Sequence, residues 1–361
     1  MSEAIHHDRV LVRVEGLVKR FPKFEKRTVT AFLNRKKHMV SVLNRVNLTI
    51  QKGEALGLIG ESGCGKTTFG RCILRLTDST EGRIYFEGRD LLTLKPGEMR
   101  RMRKKMQMIF QDPYAALNPQ MKVREILSEA VQVGTRLGQP NEQDNSRACD
   151  VASKLLDLIA SVNLQKDKLD QYPSELSGGE RRRVGIARIL AVEPTFIVAD
   201  EPLASLDASI RSQILNLLVD LKTEHGQTFL YISHDIGAVR HICDRVAVMY
   251  LGNIVEIASR QDVRPERCLH PYTARLLGAS AYLSVGGPPL EPDPEDDGEV
   301  EVPEEGDPGC SYRFRCSRFK SLGKPNLCAE EKPKLETPPT PYGDTHRVAC
   351  HYPNDENFSE I

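Results

Sequence analysis

The sequence predicts an α/β fold in which a parallel sheet is covered by helices on both faces. Short apolar or β-branched segments alternate with helical ones, and one buried strand leads through a glycine-rich turn into a helix. Strands that alternate with helices pair in parallel, because each connecting helix returns the chain to the same edge of the sheet. A long helical stretch, about residues 112–191, interrupts the alternation and predicts an inserted helical subdomain.

The first strands are predicted at residues 10–14, 41–50 and 54–59 from their apolar and β-branched residues. Residues 22–40 are basic and irregular, which predicts an inserted loop. Hydrophobic periodicity then places the later elements in alternation. The predicted helices are 96–105, 123–136, 147–161, 179–191, 208–224 and 235–243, and the predicted strands are 107–110, 195–199, 228–232 and 245–249.

Composition limits the classes of function. The 361 residues include 50 Lys and Arg against 50 Asp and Glu, so that no net charge favours nucleic acid or an anionic membrane surface. No apolar run reaches the roughly 18 residues that span a bilayer, and the polar N-terminus lacks an apolar signal core. We therefore expect a cytosolic protein that reaches a membrane only through a partner.

Residues 60–67, Gly-Glu-Ser-Gly-Cys-Gly-Lys-Thr, fit the phosphate-loop pattern. The glycines let backbone N–H groups face an anion, and the helix that follows adds its positive dipole end. Lys66 is expected at the β- and γ-phosphates, and the Thr67 hydroxyl is expected to bind Mg²⁺. The nucleotide-binding candidates of this segment are Gly60, Glu61, Ser62, Gly63, Cys64, Gly65, Lys66, Thr67 and Thr68.

Two carboxylates, Asp200 and Glu201, end the apolar segment 196–199. Asp200 can hold Mg²⁺ through water, and Glu201 can act as the general base that polarises an attacking water. Because the pair follows a phosphate loop, it predicts the hydrolytic half of a nucleotide site.

Residues 176–180, Leu-Ser-Gly-Gly-Glu, resemble the signature motif of ABC ATPases, where Gln is commoner than Glu at the last position. Ser177 and the N–H groups of Gly178 and Gly179 can bind a γ-phosphate at a helix N-terminus. In this family the signature contacts ATP held by the phosphate loop of the opposite subunit. The resemblance therefore implies a dimer that binds ATP and Mg²⁺. We expect that Glu180, in place of the commoner Gln, has only a modest effect on the site.

The resemblance covers about residues 9–260 and assigns residues 1–260 to an ABC nucleotide-binding domain. It implies a P-loop NTPase fold of ABC type, with a parallel core sheet, an antiparallel β subdomain and the inserted helical subdomain. It also implies roles for further residues. Gln111 would sense Mg²⁺ and water, Ser205 to Asp207 would form the D-loop, and His234 would contact the γ-phosphate. Phe21 is the candidate for stacking on adenine, with a core position as the alternative.

Residues 111–119, Gln-Asp-Pro-Tyr-Ala-Ala-Leu-Asn-Pro, are similar to a segment of dipeptide and oligopeptide importer ATPases. His270 to Thr273 and Gly309 to Cys316 are similar to that family's C-terminal extension, which we assign to residues 261–361. The family implies two ATPase subunits, identical or homologous, beneath two membrane permeases whose coupling helices dock near residues 112–135. A substrate-binding protein outside the cell would supply peptides, or nickel or oligosaccharides in related systems. The chain would then lie at the cytoplasmic face of the membrane.

Four cysteines lie near the C-terminal end: Cys310, Cys316, Cys328 and Cys350. In a reducing cytosol clustered thiols are more often metal ligands than disulfides. Their spacing differs from the paired Cys-x-x-Cys of structural zinc sites. Members of the importer family carry a 4Fe–4S cluster on this extension, so the resemblance implies one here, while a zinc ion and free thiols stay open as alternatives. Residues 285–309 are acidic and rich in Pro and Gly, and predict a solvated linker.

Two other functions compete with an importer. ABC ATPases of DNA repair or translation usually carry two nucleotide domains or a long coiled-coil insertion, and ABC exporters often fuse their membrane part to the ATPase. The sequence shows neither feature, nor a basic stripe for nucleic acid. We therefore expect the ATP-hydrolysing subunit of an importer.

Overall fold

A computed structural model describes residues 9–22, 39–111, 117–136, 146–204, 206–284, 307–338 and 346–353. The chain forms two compact units, each made of separated segments. The first unit consists of Met1–Leu11, Ile50–Ala55 and Arg89–Ile232, and the second of Val12–Thr49, Leu56–Gly88 and Ser233–Ile361. Most of the predicted loop at 22–40 and of the predicted linker at 285–309 lies outside the described residues.

The described chain contains both strands and helices. The strands are β1 (Val10–Pro22), β2 (Met39–Gln51), β3 (Ala55–Ile59), β4 (Glu81–Phe86), β5 (Arg89–Asp90), β6 (Met106–Ile109), β7 (Phe196–Asp200), β8 (Thr228–Ile232), β9 (Arg245–Tyr250), β10 (Asn253–Ser259) and β11 (Arg347–Val348). The helices are α1 (Lys66–Ile73), α2 (Pro96–Lys105), α3 (Val123–Arg136), α4 (Ser146–Ser161), α5 (Gly178–Leu190), α6 (Ala208–His225), α7 (Ile236–Ile242), α8 (Pro271–Ser284), α9 (Ser317–Ser321) and α10 (Asn326–Glu330).

The first unit contains the parallel ladder β6-β7-β8. Met106 lies opposite Phe196, and Phe196 lies opposite Thr228. Every residue of β7 and β8 is buried, as expected of parallel strands covered on both faces. Because parallel strands share one carboxyl edge, the chain leaves β6 and β7 on the same side of the sheet.

The predicted helical subdomain corresponds to α3, α4 and α5 of the first unit, with α3 packed against the other two. Apolar residues of α3 recur at helical spacing and are buried, among them Ile126, Leu127 and Val131. Residues 112–116 and 137–145 of this stretch lie outside the described residues. In the described part of the chain, no helix has the length and apolar character that a membrane span needs.

The second unit combines parallel and antiparallel pairing. β3 runs parallel to β9, β10 is antiparallel to β9, and β11 is antiparallel to β10. β1 lies between β2 and β4, and it pairs with β4 in antiparallel register. β1 continues to Pro22, beyond its predicted end at residue 14. A register shift between Glu15 and Val18 breaks the alternation that a sequence pattern depends on.

A buried carboxylate organises the C-terminal part of the second unit. Glu256 on β10 is 1% exposed and accepts hydrogen bonds from the N–H groups of Leu269 and His270, at 2.9 and 3.0 Å. His346 Nε2 lies 2.7 Å from the same carboxylate. Because three polar partners lie within hydrogen-bond distance of its two oxygens, the carboxyl group is tolerated in the interior. The carboxylate thereby ties the segment before α8 and the segment of β11 to β10.

Candidate functional site

The phosphate loop of the second unit connects β3 to α1. Gly60 and Gly65 have φ angles of +150° and +111°, a region that side-chain-bearing residues rarely adopt. A Cβ atom on Gly60 would lie 2.2 Å from the Met249 carbonyl oxygen, and one on Gly65 would lie 2.8 Å from the Val42 carbonyl oxygen. Both backbone conformation and neighbouring chain therefore require glycine at these two positions.

Lys66 is held inside the loop at the first residue of α1. Its side chain is 7% exposed, and Nζ donates to the carbonyl oxygens of Gly60 and Glu61, both at 2.8 Å. A buried ammonium group held by neutral carbonyl oxygens is ready to bind an anion, because an anion compensates its charge better. Nζ also lies 3.7 Å from Cys64 Sγ. Burial raises the pKa of that thiol, which keeps it protonated near neutral pH.

The N-terminus of helix α1 adds the positive end of the helix dipole to this loop. Gly65 is its N-cap residue and no acidic residue lies in its first turn. Phe69, Cys72 and Ile73 are fully buried and fix the helix in the second unit. A helix N-terminus without an acidic residue in its first turn favours a bound phosphate.

The predicted acidic residues end β7 in the first unit. Asp200 is 3% exposed. Glu201 follows with φ at +45°, a left-handed conformation that costs a non-glycine residue free energy. Its N–H group donates to the Ile232 carbonyl oxygen at 2.9 Å, and this contact holds the turn against the end of β8. Strained residues persist where surrounding contacts fix them, often at functional sites.

Arg182 of α5 links two of the predicted segments and was not singled out from the sequence. The side chain is 2% exposed. Its guanidinium group donates to the carbonyl oxygens of Phe110 at 2.6 Å and Gln111 at 3.1 Å, after β6. It also donates to those of Glu201 at 3.1 Å and Pro202 at 2.9 Å, after β7. The run of three arginines at 181–183 is the signal that could have marked it.

The signature segment forms a capped helix start. Ser177 Oγ accepts a hydrogen bond from the Glu180 N–H group at 3.2 Å, and the Glu180 carboxylate accepts one from the Ser177 N–H group at 2.8 Å. This reciprocal pair is a capping box. The Ser177 N–H bond lowers the pKa of Glu180, as does Lys168 at 3.0 Å. Glu180 therefore fills the capping position that Gln, the commoner residue, could also fill.

The remaining predicted site residues are exposed. Gln111 directly follows β6, and Asp207 stands at the N-cap of α6. His234 lies between Ser233 and α7. Phe21 is 38% exposed on β1, with Lys19 Nζ 4.6 Å from its ring centre, so the alternative core position is wrong. Ser205 lies outside the described residues.

The predicted residues divide between the two units. Gln111, Ser177, Gly178, Gly179, Asp200, Glu201 and Asp207 belong to the first unit, and Phe21, the segment Gly60 to Thr68 and His234 belong to the second. Within the first unit, the Arg182 side chain donates hydrogen bonds to the backbone carbonyl oxygens of both Gln111 and Glu201.

The four C-terminal cysteines line one cavity in the second unit. A single zinc ion needs thiolates within about 2.3 Å of one point. Among the described residues, no group of three or more His, Cys, Asp or Glu side chains is arranged to hold one metal ion. Burial raises the pKa of Cys310 to about 11 and that of Cys350 to about 12, so the metal-free thiols are protonated near neutral pH.

Comparison with known proteins gives consistent relatives. Residues 43–204 match the family described as ABC transporter. The chain is 39% identical to a probable peptide ABC transporter ATP-binding protein of Sinorhizobium fredii, over 94% of this chain and 89% of the relative. It is 44% identical to a putative peptide import ATP-binding protein of Brucella ovis, over 85% of this chain and 89% of the relative. It is 42% identical to the putative oligopeptide transport ATP-binding protein YkfD of Bacillus subtilis, over 90% of this chain and 94% of the relative.

Solved structures share the fold. The dimeric post-hydrolysis state of the ATP-binding cassette MJ0796, bound to ADP and Pi, matches with a TM-score of 0.58 and 26% identity, over 69% of this chain and 99% of that chain. CbiO1 of Clostridium perfringens matches with a TM-score of 0.57 and 25% identity, over 71% of this chain and 90% of that chain. With a phosphate loop, a capped signature helix and relatives along almost its whole length, this chain belongs to the family of ABC transporter ATP-binding proteins.

Proposed function

We propose that the chain is the ATP-hydrolysing subunit of an ABC importer for peptides. The observation that carries the proposal is the phosphate loop, where the buried Lys66 and the N-terminus of α1 form a place for a polyphosphate. Relatives named for peptide import match 85% to 94% of the chain, beyond the nucleotide-binding part. This extent supports peptides as the transported class.

The residues of the phosphate loop fit ATP, and bound Mg²⁺ would neutralise charge on its phosphates. Lys66 exchanges its carbonyl partners for β- and γ-phosphate oxygens, and Phe21 stacks on adenine. The Thr67 hydroxyl and Asp200 would be candidate ligands of Mg²⁺, and Gln111 would sense Mg²⁺ and the attacking water.

Hydrolysis itself needs a base and a stabiliser of the γ-phosphate. Glu201 polarises the attacking water, and His234 contacts the γ-phosphate. Ser177, Gly178 and Gly179 bind ATP held by a second ATPase subunit, and Asp207 lies at the same dimer contact. The dimeric state of the related cassette supports this arrangement.

The second ATPase subunit would lie with this one beneath two permeases, at the cytoplasmic face of the membrane. Residues 112–135 would receive the permeases, and a substrate-binding protein outside the cell would deliver the peptide. The nucleotide-binding part would comprise residues 1–260, and residues 261–361 would form the C-terminal extension.

The extension would hold a 4Fe–4S cluster through Cys310, Cys316, Cys328 and Cys350. One observation supports this assignment: the four thiols line one cavity. Such a cluster would stabilise a short segment that has little apolar core of its own.

The hydrolytic role is tested by Glu201→Gln in the assembled transporter. We expect kcat for ATP hydrolysis to fall at least about a hundredfold, because the amide cannot accept a proton, while ATP still binds. The exposed Asp220→Asn on α6 is the control and should keep wild-type turnover. If the partner ATPase is a paralogue, its equivalent glutamate is changed as well. Wild-type turnover in the double variant would show that Glu201 is not the base.

Import is tested by purifying the chain from detergent-solubilised membranes and identifying what comes with it. Two multi-span permeases would support the importer, and the accompanying binding protein could be screened for peptides. Recovery only from the soluble fraction, with ribosomes or DNA, would overturn the transport proposal.

A further inference from the structure

The C-terminal extension contacts the phosphate loop at Glu61. The Glu61 N–H group donates to the Tyr272 hydroxyl oxygen at 2.9 Å. The Glu61 carboxylate accepts from Arg315 Nη1, at 3.1 Å for Oε2 and 3.3 Å for Oε1. Tyr272 lies at the start of α8, and Arg315 lies between Cys310 and Cys316. Two separate parts of the extension thus meet one residue of the loop, and all of these residues belong to the second unit.

An aromatic cluster of Tyr250, Tyr272 and Tyr312 supports these contacts. The Tyr250 ring centre lies 4.7 Å from that of Tyr272 and 5.1 Å from that of Tyr312, and the last two are 5.4 Å apart. All three side chains are at most 3% exposed. Packed aromatic rings have few alternative positions, so the Tyr272 hydroxyl is held where Glu61 needs it.

Glu61 also contacts Lys66, the proposed phosphate-binding lysine. Its N–H group is held by Tyr272, and its carbonyl oxygen accepts from Lys66 Nζ at 2.8 Å. The peptide units on both sides of Glu61 are therefore fixed. A displacement of this residue would move an oxygen that now positions the lysine.

Arg315 also acts on the loop through its positive charge. A carboxylate at the start of a phosphate-binding loop repels the polyphosphate that the loop must bind. Arg315, with its side chain 19% exposed, neutralises that carboxylate and draws it towards the extension. Without the guanidinium group, Glu61 would oppose nucleotide binding.

We propose that Tyr272 and Arg315 are positioning residues of the phosphate loop, so that nucleotide binding depends on the C-terminal extension. The proposal rests on the nucleotide-binding role of the loop and goes beyond it, because it gives the extension a part in forming the site. Tyr272 fixes the backbone at Glu61, and Arg315 neutralises and orients its carboxylate.

The test compares dissociation constants for Mg-ATP, measured on the purified full chain at low salt. Arg315→Gln should weaken binding about threefold to tenfold, because it leaves the Glu61 charge unpaired. In a Glu61→Gln background the same substitution should have no further effect, since the charge that Arg315 neutralises is gone. The effect of Arg315→Gln should also shrink at 1 M salt, as ions screen the charges.

Tyr272→Phe tests the backbone contact independently. It leaves the Glu61 N–H group without its acceptor and should weaken binding about fivefold, with little salt dependence. Arg313→Gln is the matched control. Arg313 donates to Asp307 at 2.8 Å, in the same segment, and its removal should leave nucleotide affinity unchanged.

Thermal unfolding without nucleotide, and the iron content of each variant, separate a local effect from loss of the folded extension. Wild-type affinity in both Arg315→Gln and Tyr272→Phe overturns the proposal, as does an equal loss in Arg313→Gln. An undiminished effect of Arg315→Gln in the Glu61→Gln background overturns the role of charge. A wild-type chain that binds no Mg-ATP would instead overturn the nucleotide-binding function itself.

Discussion

At the scale of single residues, Arg182 performs a task that no local pattern describes. It carries four hydrogen bonds to backbone carbonyl oxygens on two segments that follow parallel strands. A planar guanidinium group suits this task because its donors diverge in fixed directions. The segments it joins hold Gln111 and Glu201, so the backbone position of both residues depends on Arg182.

We expect Arg182→Gln to lower kcat for ATP hydrolysis about tenfold while the KM for ATP changes little. The glutamine amide cannot reach both segments, so Glu201 and Gln111, the proposed base and the proposed water-sensing residue, lose their fixed separation. The lost bonds should also cost about 2–4 kcal/mol in the free energy of unfolding. Steady-state hydrolysis by the assembled transporter and denaturant unfolding of the chain measure the two effects.

Arg183→Gln is the control for Arg182. Arg183 is also buried, but it donates to the carbonyl oxygens of Val162 and Asn163 and not to those of the segments that hold Gln111 and Glu201. It should cost similar stability and leave kcat near that of the wild type. Equal losses of kcat in the two variants would mean that Arg182 acts only through stability.

At the scale of elements, the start of α8 depends on a neutral histidine. His270 is 1% exposed, and its Nδ1 accepts a hydrogen bond from the Tyr272 N–H group at 3.1 Å. Burial lowers the pKa of His270 from 6.5 to about 4, against the opposing effect of Glu256. Protonation would turn the accepting nitrogen into a donor, so the helix start and the positively charged form are incompatible.

Stability should therefore fall as the solution is acidified from pH 6.5 to 4. In this window the unfolded chain protonates His270 and the folded chain does not, so protons favour unfolding. The full contribution exists above pH 6.5 and amounts to on the order of 3 kcal/mol. His270→Gln keeps an acceptor but does not titrate, and its free energy of unfolding should depend less on pH in this window. The exposed His225→Gln should behave like the wild type, and identical pH profiles for all three proteins would contradict the assignment.

Sequence periodicity located the helices better than the strands of the second unit. Helices α2 and α3 have their predicted bounds. In α3 the apolar residues recur at helical spacing and are buried. β4, β10 and α8 were not predicted. β4 begins with polar and glycine residues, and β10 is buried on both faces around Glu256, so neither shows a clear alternation.

At the scale of the whole molecule, the predictable part of the site is the local part. The phosphate loop and the signature segment are read from contiguous residues, because each is one turn joined to one helix. The contact of Arg315 with Glu61 spans 254 residues, and no local pattern contains it. Only the fold brings the C-terminal extension to the phosphate loop.

The four cysteines join two separated segments of the extension. Cys310, Cys316 and Cys328 lie within 307–338, whereas Cys350 lies within 346–353, next to β11. Since Arg315 directly precedes Cys316, a cluster held by all four thiolates would stabilise the segment that contacts Glu61. Metal binding, folding of the extension and nucleotide affinity should therefore be linked.

Cys350→Ser tests that linkage in protein purified without oxygen. Iron should fall from about four atoms per chain to near zero with loss of visible absorbance, because a hydroxyl replaces one of the four thiolates. The thermal midpoint should fall, and Mg-ATP should bind about threefold more weakly, since Arg315 loses its support. Cys268→Ser removes a thiol that is 3% exposed and does not line the cavity, and it should keep both iron and affinity. A wild-type chain without iron would refute the cluster, whereas full iron in Cys350→Ser would exclude Cys350 as a ligand.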